Sequence, residues 1–398
     1  MPGTARLENL RDHALSAYVP SVRSAEGELL WFRGWSSASA AATVYQRRTA
    51  ARSFQLENST PVIDSGELIV GKPCYRPLSG SETQELESAR AAFAAIGLDA
   101  GGQGSHMAVD YELLLQSGIR GVQDSIRRRL EGLQAEDEKA EFYRCCIQVL
   151  EAVVRYAESY SRYAAGLAEA CQDEARRLEL TEIAAVCARV PAGPAESFRD
   201  ALQSVHFLTM CLEGLYQLGR PDRYLLDIYR RDLESEVLST SVAQELIDCV
   251  CILFNEYIPK GLAVGFMVGG KDARGDDVCN ELTRMFLESI SHTRMIYPGI
   301  GLCWTDATPD DITLRSSELL AEGYSHPALF NDRIITEGLM SYGLPADEAC
   351  DESKLPPIAG RFEGLCGPTW TRRTLVWKMQ TIPRPSSRIT SVFMLITL

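Results

Sequence analysis

Residues 196–233, ESFRDALQSVHFLTMCLEGLYQLGRPDRYLLDIYRRDL, decide how the rest of the chain is read. Phe198, Ala201, Leu202, Val205, Leu208 and Leu212 recur at spacings of three and four. One face of a helix is therefore apolar over about four turns. Pro191 and Pro194 close off what precedes it, and Ala-Glu-Ser then opens the helix with an acid near its positive end. The helix is expected to run into Gly219, where the chain turns, followed by the polar cluster Arg220, Pro221, Asp222 and Arg223. A second amphipathic piece spans 224–233.

Working outward, 398 residues suffice for a large buried core, and 45% hydrophobic with 24% charged residues is the composition of a globular protein. Forty basic residues against 54 acidic ones, net −14, argue against a nucleic-acid surface or attachment to anionic lipid. The N-terminal stretch has no apolar run behind basic residues, and no segment approaches a membrane span, so a cytoplasmic location is expected. The twelve cysteines form no C-x-x-C pair and no paired-histidine pattern; buried reduced thiols are expected, and no metal site is assigned.

Residues 1–60 read as helical, with Arg47, Arg48 and Arg52 on a solvated face rather than in an anion site. Residues 62–71, VIDSGELIVG, read as two short strands around an Asp-Ser-Gly turn. Asp110 is a good N-cap for a helix from Tyr111 to Gln116, which Gly118 would end. The longest helical pattern covers 138–190, where the tyrosines at 143, 156, 160 and 163 read as core. Residues 240–257 form another amphipathic helix. The run 265–271, GFMVGGK, satisfies most of a phosphate-binding loop, but Asp272 stands where a hydroxyl should hold magnesium, and Asp276, Asp277 and Glu281 follow. The phosphate reading is rejected. Residues 295–303 read as a strand and 308–322 as a helix.

Several of these stretches together resemble the N-terminal half of glycyl radical enzymes of the pyruvate formate-lyase type. The family's GR-x-D-x-YL turn is matched by Gly219, Arg220, Asp222, Tyr224 and Leu225. Its GH-x-x-PDYE stretch is matched at Gly104, His106, Asp110, Tyr111 and Glu112, with Val109 in place of the proline. A VGG-x-D-x-x-G-x-D-x-x-NELT pattern fits Gly269, Gly270, Asp272, Gly275, Asp277, Asn280, Glu281 and Leu282, and PALFND leads to Asn331 and Asp332 as a strand and loop. The resemblance implies an incomplete α/β fold: the N-terminal, mostly helical part of a ten-stranded α/β barrel. Gly219, Arg220, Asp222, Asp110, Tyr111, Asn331 and Asp332 would then be scaffold positions of the family motifs. Tyr216 and Gln217, just before the turn, are weak pocket-wall candidates, and they argue mildly against a glycerol-type dehydratase pocket. His106 is a pocket candidate against the plainer reading of a structural histidine.

The resemblance stops after Asp351, giving a family-like domain over 1–351 and a tail over 352–398. Residues 353–398 hold seven basic groups and one acid, net +6, which leaves −20 for the preceding 352 residues. Periodicity vanishes there and prolines become frequent. A non-homologous tail, out-of-frame or disordered, is expected over a divergent basic arm. Cys366, in Gly-Leu-Cys-Gly-Pro, lacks the valine and glutamate that follow the family's catalytic cysteine, and no Arg-Val-x-Gly-Tyr run is present. No catalytic residue and no bound cofactor are therefore assigned to this chain. Intact family members carry a glycyl radical installed by a radical SAM activating enzyme, act on a small-molecule substrate, and leave room for a homodimer. The expected function is that of a thiyl-radical lyase or dehydratase fold, inactive by itself. The competing reading is a non-catalytic helical scaffold or partner-binding protein.

Overall fold

The computed structural model describes residues 4–16, 23–97, 109–134, 136–212, 218–258, 265–272, 274–345 and 349. His106, Tyr216, Gln217, Cys366 and the whole of 352–398 lie outside these residues.

The first layer is helical. Helices α1 (Ala5–Ser16), α2 (Ala25–Ser37), α3 (Val44–Asn58) and α4 (Gly80–Ala95) precede α5 (Tyr111–Leu130), α6 (Glu138–Ala170) and α7 (Glu174–Arg189). Each start from α2 to α7 is marked by a capping Ser, Thr or Asp whose oxygen accepts a backbone N–H of the first turn. The 33-residue α6 presents Tyr156 and Tyr160 to the core, where both rings meet Phe207 edge-on. Tyr163, at the end of the same stripe, is exposed. Arg52 does not sit on a solvated face: it is buried, and its guanidinium donates to Gln55 and to the Cys211 carbonyl. Helical spacing shows which residues share a face; it does not show that another helix will end against that face.

Gly118 interrupts α5 without ending it. Its φ of 63° kinks the helix, and a Cβ there would lie 2.3 Å from the Gly193 carbonyl carbon. The kink lets Ile119 and Arg120 donate their N–H groups to the carbonyls of Pro191 and Ala192 at 2.8 and 3.0 Å. Residues 62–71 contain the turn at Asp64–Gly66 but no strand. Their backbone is paired by side chains instead. Gln203 bonds both the N–H (3.0 Å) and the carbonyl (2.6 Å) of Val70, His206 bonds the Gly71 carbonyl at 2.6 Å, and Tyr160 bonds Lys72.

The second layer is α8 (Phe198–Cys211), α9 (Pro221–Tyr224), α10 (Leu226–Glu234) and α11 (Thr240–Tyr257). Every residue of α8 except Arg199 is buried, so this helix is the centre of the core. Ser197 caps it by accepting the Asp200 N–H at 3.1 Å. Its end at Cys211 comes before the expected run to Gly219, and residues 213–217 are outside those described.

The sheet is built by β1 (Gly265–Gly269), α12 (Glu281–Thr293), β2 (Gly299–Trp304), α13 (Asp310–Ala321), β3 (Ala328–Asn331) and α14 (Asp332–Ser341). The three strands run parallel in the order β1-β2-β3, with a helical crossover between each pair. The 328–331 strand passes straight into α14, where a loop was expected. Side chains alternate between the two faces. Phe266, Val268, Ile300 and Leu302 join the main core under the helices, while Met267, Cys303 and Phe330 form a separate cluster on the opposite, inner face. Gly301 makes that cluster possible, since a Cβ there would fall 2.5 Å from Met267 Sδ and 2.6 Å from the Phe330 ring. No described helix is long and apolar enough to cross a membrane. All ten described cysteines are free, and eight are buried, in accord with the reduced-thiol reading.

Candidate active site at the strand ends

Residues 218–224 deliver the GR-x-D turn to the carboxyl end of β1. The Leu218 N–H donates to the Gly265 carbonyl (3.3 Å) and the Met267 N–H to the Gly219 carbonyl (3.1 Å), so the chain enters alongside β1. Gly219, at φ 67°, reverses it, and Pro221 starts the one-turn helix α9. Asp222 is then fully enclosed. Its Oδ2 accepts the Gly269 N–H at 2.7 Å and the Thr283 hydroxyl at 2.8 Å, and its backbone carbonyl accepts from Asn280 Nδ2 at 2.9 Å. Asn280 and Thr283 are themselves the reciprocal cap of α12. One carboxylate thus ties the turn, the β1 tip and the start of α12 together.

Arg220 stands beside it, buried, with Nε 3.9 Å from Asp222 Oδ1. A Cβ on Gly270 would meet Arg220 Nη2 at 3.2 Å and Cys303 Cβ at 2.8 Å, which places the guanidinium and the Cys303 side chain over the same glycine. Gly269 and Gly270, both at positive φ, let Leu302, Cys279, Cys303 and Arg220 pack closely around this corner, where a Cβ would clash. The strand ends therefore present a fixed cation, a buried thiol and the Met267–Phe330 wall on one inner face. Tyr224 closes the turn by donating to the Leu218 carbonyl at 3.0 Å and stacking on Tyr111, whose hydroxyl meets Thr209 at 3.2 Å. Burial raises the phenols of Tyr111 and Tyr224 and the thiol of Cys279, so all three stay protonated at neutral pH.

Other motif positions act at a distance from this corner. Asp110 caps α5 by accepting the Leu113 N–H at 3.0 Å, Asn331 caps α14 by accepting the Ile334 N–H at 3.1 Å, and Asp332 is buried at the β3–α14 junction. The 265–272 loop is no phosphate cradle. Asp272 Oδ1 itself accepts the N–H groups of Arg274 (2.8 Å) and Asp276 (3.0 Å), filling the nest with a carboxylate. Periodicity gave no notice of Cys303 or Phe330. Only the parallel register, Gly269 opposite Cys303 and Cys303 opposite Phe330, brings Cys303 to the Arg220 corner and Phe330 into its cluster.

A family model described as pyruvate formate lyase-like matches residues 79–353. The chain belongs to that family. It is the N-terminal portion of a glycyl radical enzyme fold. A (2S)-3-sulfopropanediol dehydratase from Klebsiella oxytoca is 30% identical over 268 residues, covering 62% of this chain and 32% of the relative. An isethionate sulfite-lyase from Oleidesulfovibrio alaskensis is 28% identical over 278 residues, covering 62% and 34%. Among solved structures, one described by 1,2-propanediol dehydration in Roseburia inulinivorans superposes with a TM-score of 0.80 at 26% identity, over 88% of this chain and 54% of that one. The chain thus spans about a third of the curated relatives and about half of the solved one. In this family the three parallel strands and their helices are part of a glycyl radical enzyme barrel. These relatives are a dehydratase, a sulfite-lyase and a diol-dehydrating enzyme, not pyruvate formate-lyases.

Proposed function

We propose that this chain supplies the substrate-positioning half of a glycyl radical dehydratase or lyase acting on a small hydroxylated substrate that carries a negative charge. The observation that carries the proposal is the Arg220 guanidinium, buried and braced beside Asp222, packed over the Gly269–Gly270 corner at the ends of parallel strands. Open sheets of this kind gather ligands at the carboxyl ends of their strands. A buried guanidinium there favours an anionic group. The names of the relatives, a sulfopropanediol dehydratase and an isethionate sulfite-lyase, support the same substrate chemistry.

A glycyl radical, when installed by a radical SAM activating enzyme, supplies the one-electron chemistry of such enzymes. No described residue is assigned to carry or relay it: Cys303 is fully buried within the inner-face cluster, and the chain has no Arg-Val-x-Gly-Tyr run. The work proposed for this chain is binding, orientation and exclusion of water around the substrate. The polypeptide as it stands is proposed to be inactive without the rest of a barrel. Thioester chemistry on pyruvate is no part of the proposal, and a cytoplasmic location is, supported by the acidic composition and the lack of a described membrane-crossing helix.

The test pairs this chain in trans with the remaining portion of a related dehydratase, adds the activating enzyme, and assays hydroxysulfonates, with neutral 1,2-diols as the comparison expected to turn over less. Product is expected from the mixture alone, with at least about a tenfold loss in Arg220→Ala, the scale of one removed charged hydrogen bond. A complex that forms yet stays inert, or an Arg220→Ala mixture as active as the wild type, would contradict the proposal.

A further inference from the structure

Away from the strand ends, Lys72 is enclosed by carboxylates from two different parts of the chain. Its Nζ donates to Glu67 Oε1 at 2.7 Å, to Glu256 Oε2 at 2.5 Å and to Asp64 Oδ2. His13 Nε2 stands at the outer side, 3.1 Å from Asp64 Oδ2 and 3.8 Å from Glu256 Oε2. The side chains of Lys72, Glu67 and Glu256 are only 5%, 3% and 5% exposed. Three elements meet in this cage: α1 brings His13, α11 brings Glu256, and the irregular 62–74 segment brings the rest.

The segment cannot drift away from the cage. Tyr160 accepts the Lys72 N–H (3.1 Å) and donates to the Lys72 carbonyl (3.0 Å), Arg176 donates to the carbonyls of Glu67 and Asp64, and Arg6 donates to that of Gly66. Gln203 and His206 hold Val70 and Gly71 to α8, the helix that leads toward the Gly219–Asp222 turn.

Asp64 lies at the rim of the cage, 35% exposed, but Glu67 and Glu256 are enclosed with the one ammonium between them, so two buried carboxylates leave one negative charge uncompensated. Buried charge persists only when it is paired, so a proton is the cheapest way to balance the cage. Glu67 is the most enclosed carboxyl of the cage; the Asp64 N–H donated to its Oε2 at 2.9 Å favours the ionised form, but burial outweighs it. We propose that the Lys72 cage is a proton-linked clamp, in which a proton held on Glu67 fastens α1 and α11 to the 62–74 segment and its loss loosens that junction.

Burial raises the Glu67 carboxyl to about 7, with Glu256 adding to the rise and Lys72 opposing it. Burial disfavours the Lys72 charge, but Glu67 and Glu256 outweigh it and hold the ammonium in place. The remaining groups facing the cage are Arg6 on α1, Tyr160 on α6, Arg176 and Glu179 on α7, His206 on α8, Glu245 and Cys249 on α11, and Tyr75. Burial pushes Cys249 and Tyr75 up, Tyr160 up to about 12 and His206 down to about 4; salt bridges with Arg6 and Arg176 overcome burial and keep Glu179 low. Because the folded value for Glu67 lies above the unfolded one near 4.5, its contribution is full below that pH and is lost as pH rises through about 7.

The test compares melting temperatures of the wild type, Glu67→Gln and His13→Asn from about pH 5 to about pH 8, the range between carboxylate and histidine titrations and beyond. Glutamine mimics the protonated carboxyl, so Glu67→Gln should gain on the wild type by about 2–4 °C across that range. Taking the difference removes the opposing contribution of His206, common to both proteins. His13→Asn should keep the wild-type pH dependence. A difference that stays flat overturns the proposal, as does a pH dependence that survives Glu67→Gln and disappears in His13→Asn. A carboxyl-carbon NMR titration of the wild type needs no variant. A glutamate titrating near pH 7 supports the clamp, and none doing so overturns it.

Discussion

Asp222 is fully buried, yet its carboxylate is wanted by three elements at once: the β1 tip, the α12 cap and the arginine turn. Asp222→Ala would leave the Gly269 N–H and the Thr283 hydroxyl without an acceptor, and a loss of about 3 kcal/mol is expected in urea unfolding. A loss under about 0.5 kcal/mol, the range of surface changes, would show that the carboxylate is not the tie described. His206 gives a second residue-level prediction. Burial lowers its pKa to about 4, against a Gly71 hydrogen bond that acts the other way. A folded value below the unfolded 6.5 means stability that is complete above that pH and is lost as pH falls through about 4. Imidazole NMR signals should therefore show no protonation in the folded protein at about pH 5.5, where an ordinary histidine is mostly charged; a midpoint near the ordinary value would refute the neutral assignment. Asp222 and Arg220 stood out in the sequence because the GR-x-D turn has a recognisable pattern. Arg52 and the Lys72 cage did not, because their partners, Cys211 and Glu256, are distant in sequence and share no periodicity with them.

At the scale of elements, long regular segments were readable and backbone paired by side chains was not. The helix at 240–257 shows its apolar stripe plainly, and the structure places Thr240–Tyr257 on those bounds. Residues 62–71 have the β-branched, turn-bounded look of strands, since a segment buried by any means selects the same residues. Gln203, His206 and Tyr160 take the place of a neighbouring strand, and nothing local announces that. Glycine at a helix end and glycine at a kink leave the same mark, so the pattern alone predicts a terminator at Gly118. The kink has a consequence for mutation. A Cβ at φ 63° lying 2.3 Å from Gly193 adds backbone strain to a clash with main chain, so Gly118→Ala should cost more than about 3 kcal/mol, measured by urea unfolding. An unfolding midpoint like that of the wild type would mean that α5 and the 190–195 loop can separate cheaply.

Across the described residues, the helical layers enclose one large core and a smaller one around Trp31, Trp35 and Phe93, while the three-stranded sheet stays open at β3. Among the described residues β3 pairs only with β2, Leu329 on it is 52% exposed, and Ile334, Met340 and Tyr342 nearby are exposed as well. Half-open apolar edges of this kind are covered in stable proteins, and the solved relative is almost twice as long as the matched part. The family resemblance rests on the order of motifs up to Asp351, which the match over 79–353 bears out; the sheet register that assembles the inner face is beyond sequence reading. The most direct measurement is electron paramagnetic resonance on the purified chain after anaerobic treatment with a radical SAM activating enzyme. No glycyl radical signal is expected from this chain alone, with the signal appearing once the remaining barrel portion of a relative is added. A glycyl radical signal from the chain by itself would contradict the assignment of positioning to this half and radical storage to the other.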